Sequence, residues 1–168
     1  MKKERDAKEV SEAIRVMCQT NLGVLDKGFL CQSLSVLNAK IPHSLKKSAT
    51  IKEVLTALQT KKIGCVIIVD DKEKVAGIFS ERDFLLKVAH LYEAIKNDPV
   101  ENYMTADPVT QPPEGTIAYA LNLMSQGGFR HIPIVDGENK PVGMISVKDV
   151  VDYIVETFTQ DLLDFPLA

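Results

Sequence analysis

The chain has 168 residues, with 20 Lys+Arg against 23 Asp+Glu, for a formal charge of −3. That length permits one compact domain or two small ones and is long enough to fold without disulfide staples. Near-neutral charge, no Trp and only 6 Phe and 4 Tyr argue against a protein that grips nucleic acid through a basic field or a stacking platform.

The N-terminus, MKKERDAKEV, is charged where a signal peptide would turn apolar. Val10, Ile14 and Met17 then form one helical stripe between charged residues, which predicts an amphipathic helix ending near Asn21-Leu22-Gly23. Asp26-Lys27-Gly28 reads as a turn, so residues 1–32 are expected to be a flanking helix and turn. Thr50 with Glu53 is a capping box, and Ile51, Val54, Leu55 and Leu58 follow at helical spacing. A strand over Cys65–Val69, a turn at Asp70-Asp71 and a strand over Val75–Phe79 come next, and a helix starts at Ser80. Residues 84–98 are expected to continue that helix as a linker.

The pattern then recurs. Thr116 opens a helix carrying Ile117, Ala120, Leu121 and Met124, and Gly127-Gly128 closes it. Strands follow at His131–Val135 and Val142–Ile145, joined by Asp136-Gly137, and another helix starts at Ser146. Phe158 to Phe165 reads as a short, mostly apolar tail. Sliding the chain by 66 residues lays 34–83 over 100–149 without a gap and gives eleven identities in fifty positions. Among them are Pro42/Pro108, Thr50/Thr116, Ile68-Val69-Asp70/Ile134-Val135-Asp136, Gly77/Gly143, Ser80/Ser146 and Asp83/Asp149. Two copies of one strand–helix–strand–strand–helix unit make an α+β fold. One unit of roughly 60 residues has a marginal core, so the copies should pack on each other.

The three cysteines, Cys18, Cys31 and Cys65, are scattered, which reads as reduced thiols in a cytoplasm. No apolar run is long enough to span a bilayer. His43, His90 and His131 are not at metal-ligand spacings, and no nucleophile elbow, HExxH or P-loop occurs. The expectation is therefore no enzyme, no metal and no membrane.

Gly77-Ile78-Phe79-Ser80-Glu81-Arg82-Asp83 and Gly143-Met144-Ile145-Ser146-Val147-Lys148-Asp149 resemble the signature of cystathionine-β-synthase (CBS) domains: Gly, two apolar residues, Ser or Thr, two variable residues, Asp. Residues 100–110 resemble the family's opening segment, and 128–136 its first core strand. The resemblance covers about residues 33–155 and implies a tandem CBS pair, or Bateman module: two β-α-β-β-α repeats packed as a pseudo-twofold pair, with an N-terminal helix. The expected division is 33–98 for the first repeat with its linker, 99–155 for the second and 156–168 for a tail. The resemblance also implies a regulatory module that binds AMP, ADP or ATP in clefts between the repeats, with NAD or S-adenosylmethionine as further ligands of the class. A homodimer and an unidentified regulated protein are implied as partners. With little chain left for an effector, the expected output passes to another protein or through self-assembly. The alternative is a dimerisation or protein-interaction module without a ligand.

Ser80 and Ser146, each three residues before an Asp, put both side chains at a helix N-terminus, where free N–H groups favour anionic or hydroxylated ligands. Asp83 and Asp149 can then each accept two ribose hydroxyls, as acidic residues do in dinucleotide folds. The same pairs also read as plain helix caps, and the residues alone leave the two readings open. Arg130 and His131 open a strand and offer cations for phosphate; alternation along a strand sends them to opposite faces. Arg82 and Lys148, just before each Asp, are further cationic candidates. The resemblance assigns Ser44 and Thr110 to the base or sugar, and Val66, Ile132 and Pro133 to the adenine. Gly64 and Cys65 stand where the second copy has Arg130 and His131, so the two clefts are expected to differ.

Overall fold

In the computed structural model, residues 27–37 and 39–164 are described, and the predicted helix around Val10–Met17 lies outside them. Lys27–Leu30 form a helical turn, α1, where a plain turn was expected. A 3-10 turn over Leu34–Leu37 follows. The first repeat then runs β1 (Ser44–Lys46), α2 (Ile51–Lys61), β2 (Cys65–Val69) and β3 (Val75–Ser80). Thr50 caps α2 with Glu53 in the expected box, and Thr50 N–H donates to Glu53 Oε2 at 2.7 Å. After β3 the predicted continuous helix is broken. A single turn α3 (Glu81–Asp83) passes into a π-helical turn over Phe84–Val88, and a separate short helix α4 covers Tyr92–Ile95.

The second repeat has β4 (Thr105–Ala106), α5 (Ile117–Gly127), β5 (His131–Val135), β6 (Pro141–Ser146) and α6 (Val147–Asp164). Gly128 ends α5 at φ 66°, the left-handed conformation that suits glycine. The backbone of α6 stays helical through Asp164, so the expected tail is a helix for most of its length.

Duplication shows in the fine geometry. β2 and β3 are antiparallel with a register slip between Ile68 and Val69; β5 and β6 repeat it between Ile134 and Val135. Asp70 Oδ1 then accepts from the N–H groups of Lys72 and Lys74, and Asp136 Oδ1 from those of Glu138 and Lys140. These short polar side chains pin both hairpin turns.

Each repeat lends backbone to the other's sheet. β4, which precedes the second repeat's core, pairs antiparallel with β3, completing the order β1-β2-β3-β4. Reciprocally, Lys40 of the first repeat's leader bridges to Met144 on β6, while Gln111 bridges in parallel to Ile134 within the second repeat, as β1 pairs with β2 in the first. The cores follow the same logic. Ile51, Val54, Leu58, Val66, Ile68 and Phe79 form one cluster; Leu34, Ile117, Met124, Ile132 and Ile145 form another. Between them Ile67, Val69 and Val75 meet Val135 and Met144, sealing the two halves together. Asn139 completes the seam: its carbonyl accepts from Val75 N–H at 2.9 Å and its Nδ2 donates to Val75 O.

Candidate functional site

The seam opens into two clefts related by the 66-residue repeat. The first, about 530 Å³, is walled by Ser80, Arg82 and Asp83, by the leader Asp107-Pro108-Val109, and by residues 127–131. The second, about 900 Å³, is walled by Ser146, Lys148 and Asp149, by the leader Lys40-Ile41-Pro42-His43, and by residues 61–65. Arg130, His131 and Cys65 line both. Each cleft therefore takes its signature motif from one repeat and its facing loop from the other.

Both Ser-x-x-Asp motifs are capping boxes. Ser80 N–H and Oγ donate to Asp83 Oδ2 at 2.9 and 2.6 Å; Ser146 N–H and Oγ donate to Asp149 Oδ2 at 2.7 and 2.6 Å. The cap uses one carboxylate oxygen and leaves the other, and here the repeats part. Asp83 Oδ1 accepts from Lys87 Nζ at 2.7 Å and from Thr105 Oγ1 at 3.0 Å. Asp149 Oδ1 has a loose ion pair with Lys40 at 3.6 Å, and that lysine side chain is 75% exposed. Burial opposes ionisation of Asp83, yet the bonds from Lys87 and Ser80 hold its carboxyl below the usual carboxylate range.

The rims differ too. Arg82 Nη1 donates to Gly128 O at 2.9 Å, reaching from one repeat to the other across the first cleft. Its counterpart Lys148 pairs with Asp152 on its own helix and leaves the second cleft uncrossed. Five cationic side chains (Lys40, Lys61, Lys62, Arg130, Lys148) face two carboxylates (Glu81, Asp149) in the second cleft. In the first, Arg82 and Arg130 face Asp83 and Asp107.

Arg130 and His131 both belong to the lining of each cleft. Arg130 precedes β5 in a bend, so strand geometry does not govern it. His131 lies against Gly64, where a Cβ would come within 3.4 Å of its Cε1 and Nε2. Its pKa is lowered, chiefly by burial and then by Arg130, against the opposing pull of Asp149 and Glu81. Burial, aided by the Asp83 charge, pushes the Cys65 thiol up to about 12, which removes it as a nucleophile at neutral pH.

The remaining expected residues stand elsewhere. Val66 and Ile132 are fully buried in the two repeat cores, because they alternate with the cleft-lining Cys65 and His131. Pro133 is buried in β5, and its carbonyl accepts from Gln111 N–H at 3.1 Å. Ser44 and Thr110 lie just past the cleft walls, which their predecessors Ile41-Pro42-His43 and Asp107-Pro108-Val109 form. Those tripeptides were missed, although the Pro42/Pro108 identity marks them. Lys61 and Lys62 also escaped notice, since only the turn after α2 brings them to the second cleft.

Among the described residues no three His, Cys, Asp or Glu side chains gather as a metal site, and no helix is long and apolar enough to cross a membrane. A family model described as the CBS domain matches residues 37–90 and 100–156. An uncharacterised 17.7 kDa protein of Acidianus ambivalens is 30% identical over 117 residues, 70% of either chain. The chain spans less of other relatives, 56% of the length of a mitochondrial CBS domain-containing protein of Arabidopsis thaliana, to which it is 28% identical over 67% of its own length. Among solved structures, a CBS-domain protein from Agrobacterium tumefaciens superposes with a TM-score of 0.66 at 28% identity, covering 76% of this chain and 97% of that one. A CBS domain protein from Pyrobaculum aerophilum, complexed with AMP, gives 0.65 at 24% identity over 74% and 98%. The CBS domain pair of protein MJ0100, in complex with 5′-methylthioadenosine and S-adenosyl-L-methionine, gives 0.66 at 21% identity over 75% and 98%. With a duplicated signature, two interlocked repeats and both halves matched by the family model, the chain belongs to the CBS-domain family as a CBS pair.

Proposed function

We propose that this CBS pair is a non-catalytic regulatory sensor that binds a phosphate-bearing adenosine ligand of the AMP, ADP or ATP type in its second cleft. One observation carries the reading: Asp149 keeps an oxygen without a close partner, in a cleft where cations outnumber carboxylates. A carboxylate so placed suits the two ribose hydroxyls, and the surrounding Arg130, His131 and Lys148 suit phosphate. The cationic excess disfavours a positively charged ligand such as S-adenosylmethionine, despite its presence on the MJ0100 pair. AMP on the Pyrobaculum protein supports the class of ligand.

The test is thermal melting of the protein with AMP, ADP, ATP, NAD, methylthioadenosine and S-adenosylmethionine. At a hundred times its Kd a ligand stabilises the fold by about 2.7 kcal/mol. The phosphorylated ligands should raise the melting temperature and methylthioadenosine should not. A flat panel defeats the proposal.

A role in self-association is favoured by a separate observation. Leu85 and Val151, equivalent by the repeat, are 69% and 50% exposed on the segments that follow Ser80 and Ser146, beside the exposed Leu86 and Val155. A homodimer through these two segments would cover them, and Leu86 and Val151 also line the first and second clefts. Light scattering on the native chain and on the Leu85→Asp, Val151→Asp variant tests it: a monomer in both removes the dimer.

A further inference from the structure

The two clefts descend from one motif, yet only in the second does the acid keep an oxygen with no partner closer than 3.6 Å. Lys87 follows Asp83 by four residues and stands in the π-helical turn, where Ala89 N–H reaches back to Phe84 O at 2.8 Å. From there Lys87 Nζ meets Asp83 Oδ1 at 2.7 Å and Thr105 Oγ1 at 3.2 Å, while Thr105 donates to the same carboxylate oxygen. Asp83, Lys87 and Thr105 thus close a triangle, and Ser80 holds the other oxygen. Two donors already sit where a ribose diol would have to donate.

The second repeat lacks both donors. The position equivalent to Lys87 is Tyr153, on the regular helix α6; its hydroxyl donates to Gln32 Oε1 at 2.7 Å and its ring stacks on Phe29. The position equivalent to Thr105 is Ala39, which has no hydroxyl. The difference therefore lies in the chain and not only in side-chain pose.

We propose that the Asp83–Lys87–Thr105 clasp is an internal occupant of the first cleft's ribose position, so that the chain takes one nucleotide, in the second cleft, and Lys87 sets that number. This rests on the ligand class proposed above. It makes the first repeat a structural partner that supplies walls to the second cleft while its own acid is retired.

The test is isothermal titration of the full chain with AMP, ADP and ATP. The unaltered protein should bind one nucleotide per chain. Lys87→Met should bind two, and Lys87→Met with Asp83→Asn should return to one. Thr105→Val leaves the Lys87–Asp83 pair in place and should still bind one, whereas Lys87→Ala, an independent opening of the clasp, should bind two. Lys87 is partly exposed, so its variant is expected to fold, which circular dichroism checks. Two sites in the unaltered protein overturn the clasp. One site in the unaltered protein and in both Lys87 variants overturns it too and leaves the ligand class standing. No uptake of any nucleotide by any variant overturns both.

Discussion

Replacing Asp149 by Ala separates its two duties, because they fall on different oxygens. Oδ2 receives the Ser146 N–H and Oγ bonds, a cap whose loss costs about 1–2 kcal/mol. For a chain of this size that lowers the melting temperature by roughly 2–8 °C. Oδ1 is the oxygen left to a ligand. Two hydroxyl bonds to a charged group are each worth about 1.5–3 kcal/mol, so AMP affinity should fall by roughly two to four powers of ten. Melting with AMP at a hundred times the native Kd reads both effects. The native protein should rise by about 5–11 °C; Asp149→Ala should start lower and rise by less than about 2 °C. Asp83→Ala is the internal comparison. It deprives Ser80, Lys87 and Thr105 of their acceptor and should also melt lower, yet keep the full AMP shift. An Asp149→Ala protein that keeps the native AMP shift, or a folded Asp83→Ala protein that loses it, refutes the reasoning.

Ile67 is fully buried in the cluster between the repeats, so Ile67→Ala should cost about 2–5 kcal/mol; calorimetry should show one cooperative transition moved down, and two separated transitions would contradict a shared core. His131 has a folded-state pKa below its unfolded value, so its contribution to stability is complete above the ordinary imidazole range and is lost as pH falls through it; melts between pH 8 and 5.5 should show that loss, and His131→Asn should flatten it. Phosphate draws a proton onto the same ring, so AMP affinity should rise as pH falls, a trend that calorimetry at those pH values would detect. Lys62 sits at φ 52° where the second repeat has Gly128; Lys62→Gly should stabilise by about 1 kcal/mol while weakening AMP binding, read by melting with and without ligand. The Cys65 thiol is buried and pushed up to about 12, so iodoacetamide at pH 8 should leave its peptide unmodified until the chain is unfolded, whereas exposed Cys31 reacts.

The four core strands β2, β3, β5 and β6, the helices α2 and α5 and the hairpin turns were legible because each has a local cause, whereas the short strands β1 and β4 had no bounds in the sequence. Thr50 with Glu53, Gly128, and Asp70 and Asp136 act within a few residues of themselves. The break after Asp83 had no such signal: Phe84 to Ala89 reads as ordinary helix, and the π-helical turn is visible only in three dimensions. The signature acids were legible as motifs, but not which one is free. That depends on Thr105 and Lys87, 22 and 4 residues from Asp83, and on Ala39 and Tyr153 in the other half. Val66 and Ile132 were assigned to the adenine by the family resemblance; strand alternation turns their side chains into the core.

The exchange of leader segments makes the two repeats inseparable in a topological sense. Each sheet borrows backbone that belongs, in chain order, to its neighbour: β4 completes the first, and Lys40 bridges to the second. A half excised at the sequence boundary would lose its own leader's resting place and expose a sheet edge. Duplication here produced a closed reciprocal clasp of two arms, not a chain of beads. Any ligand in either cleft touches an arm and the body it is lent to. A ligand in the second cleft would thus rest on both repeats at once, on the Lys40-Ile41-Pro42-His43 arm and on the turn over residues 146–149 that the arm faces.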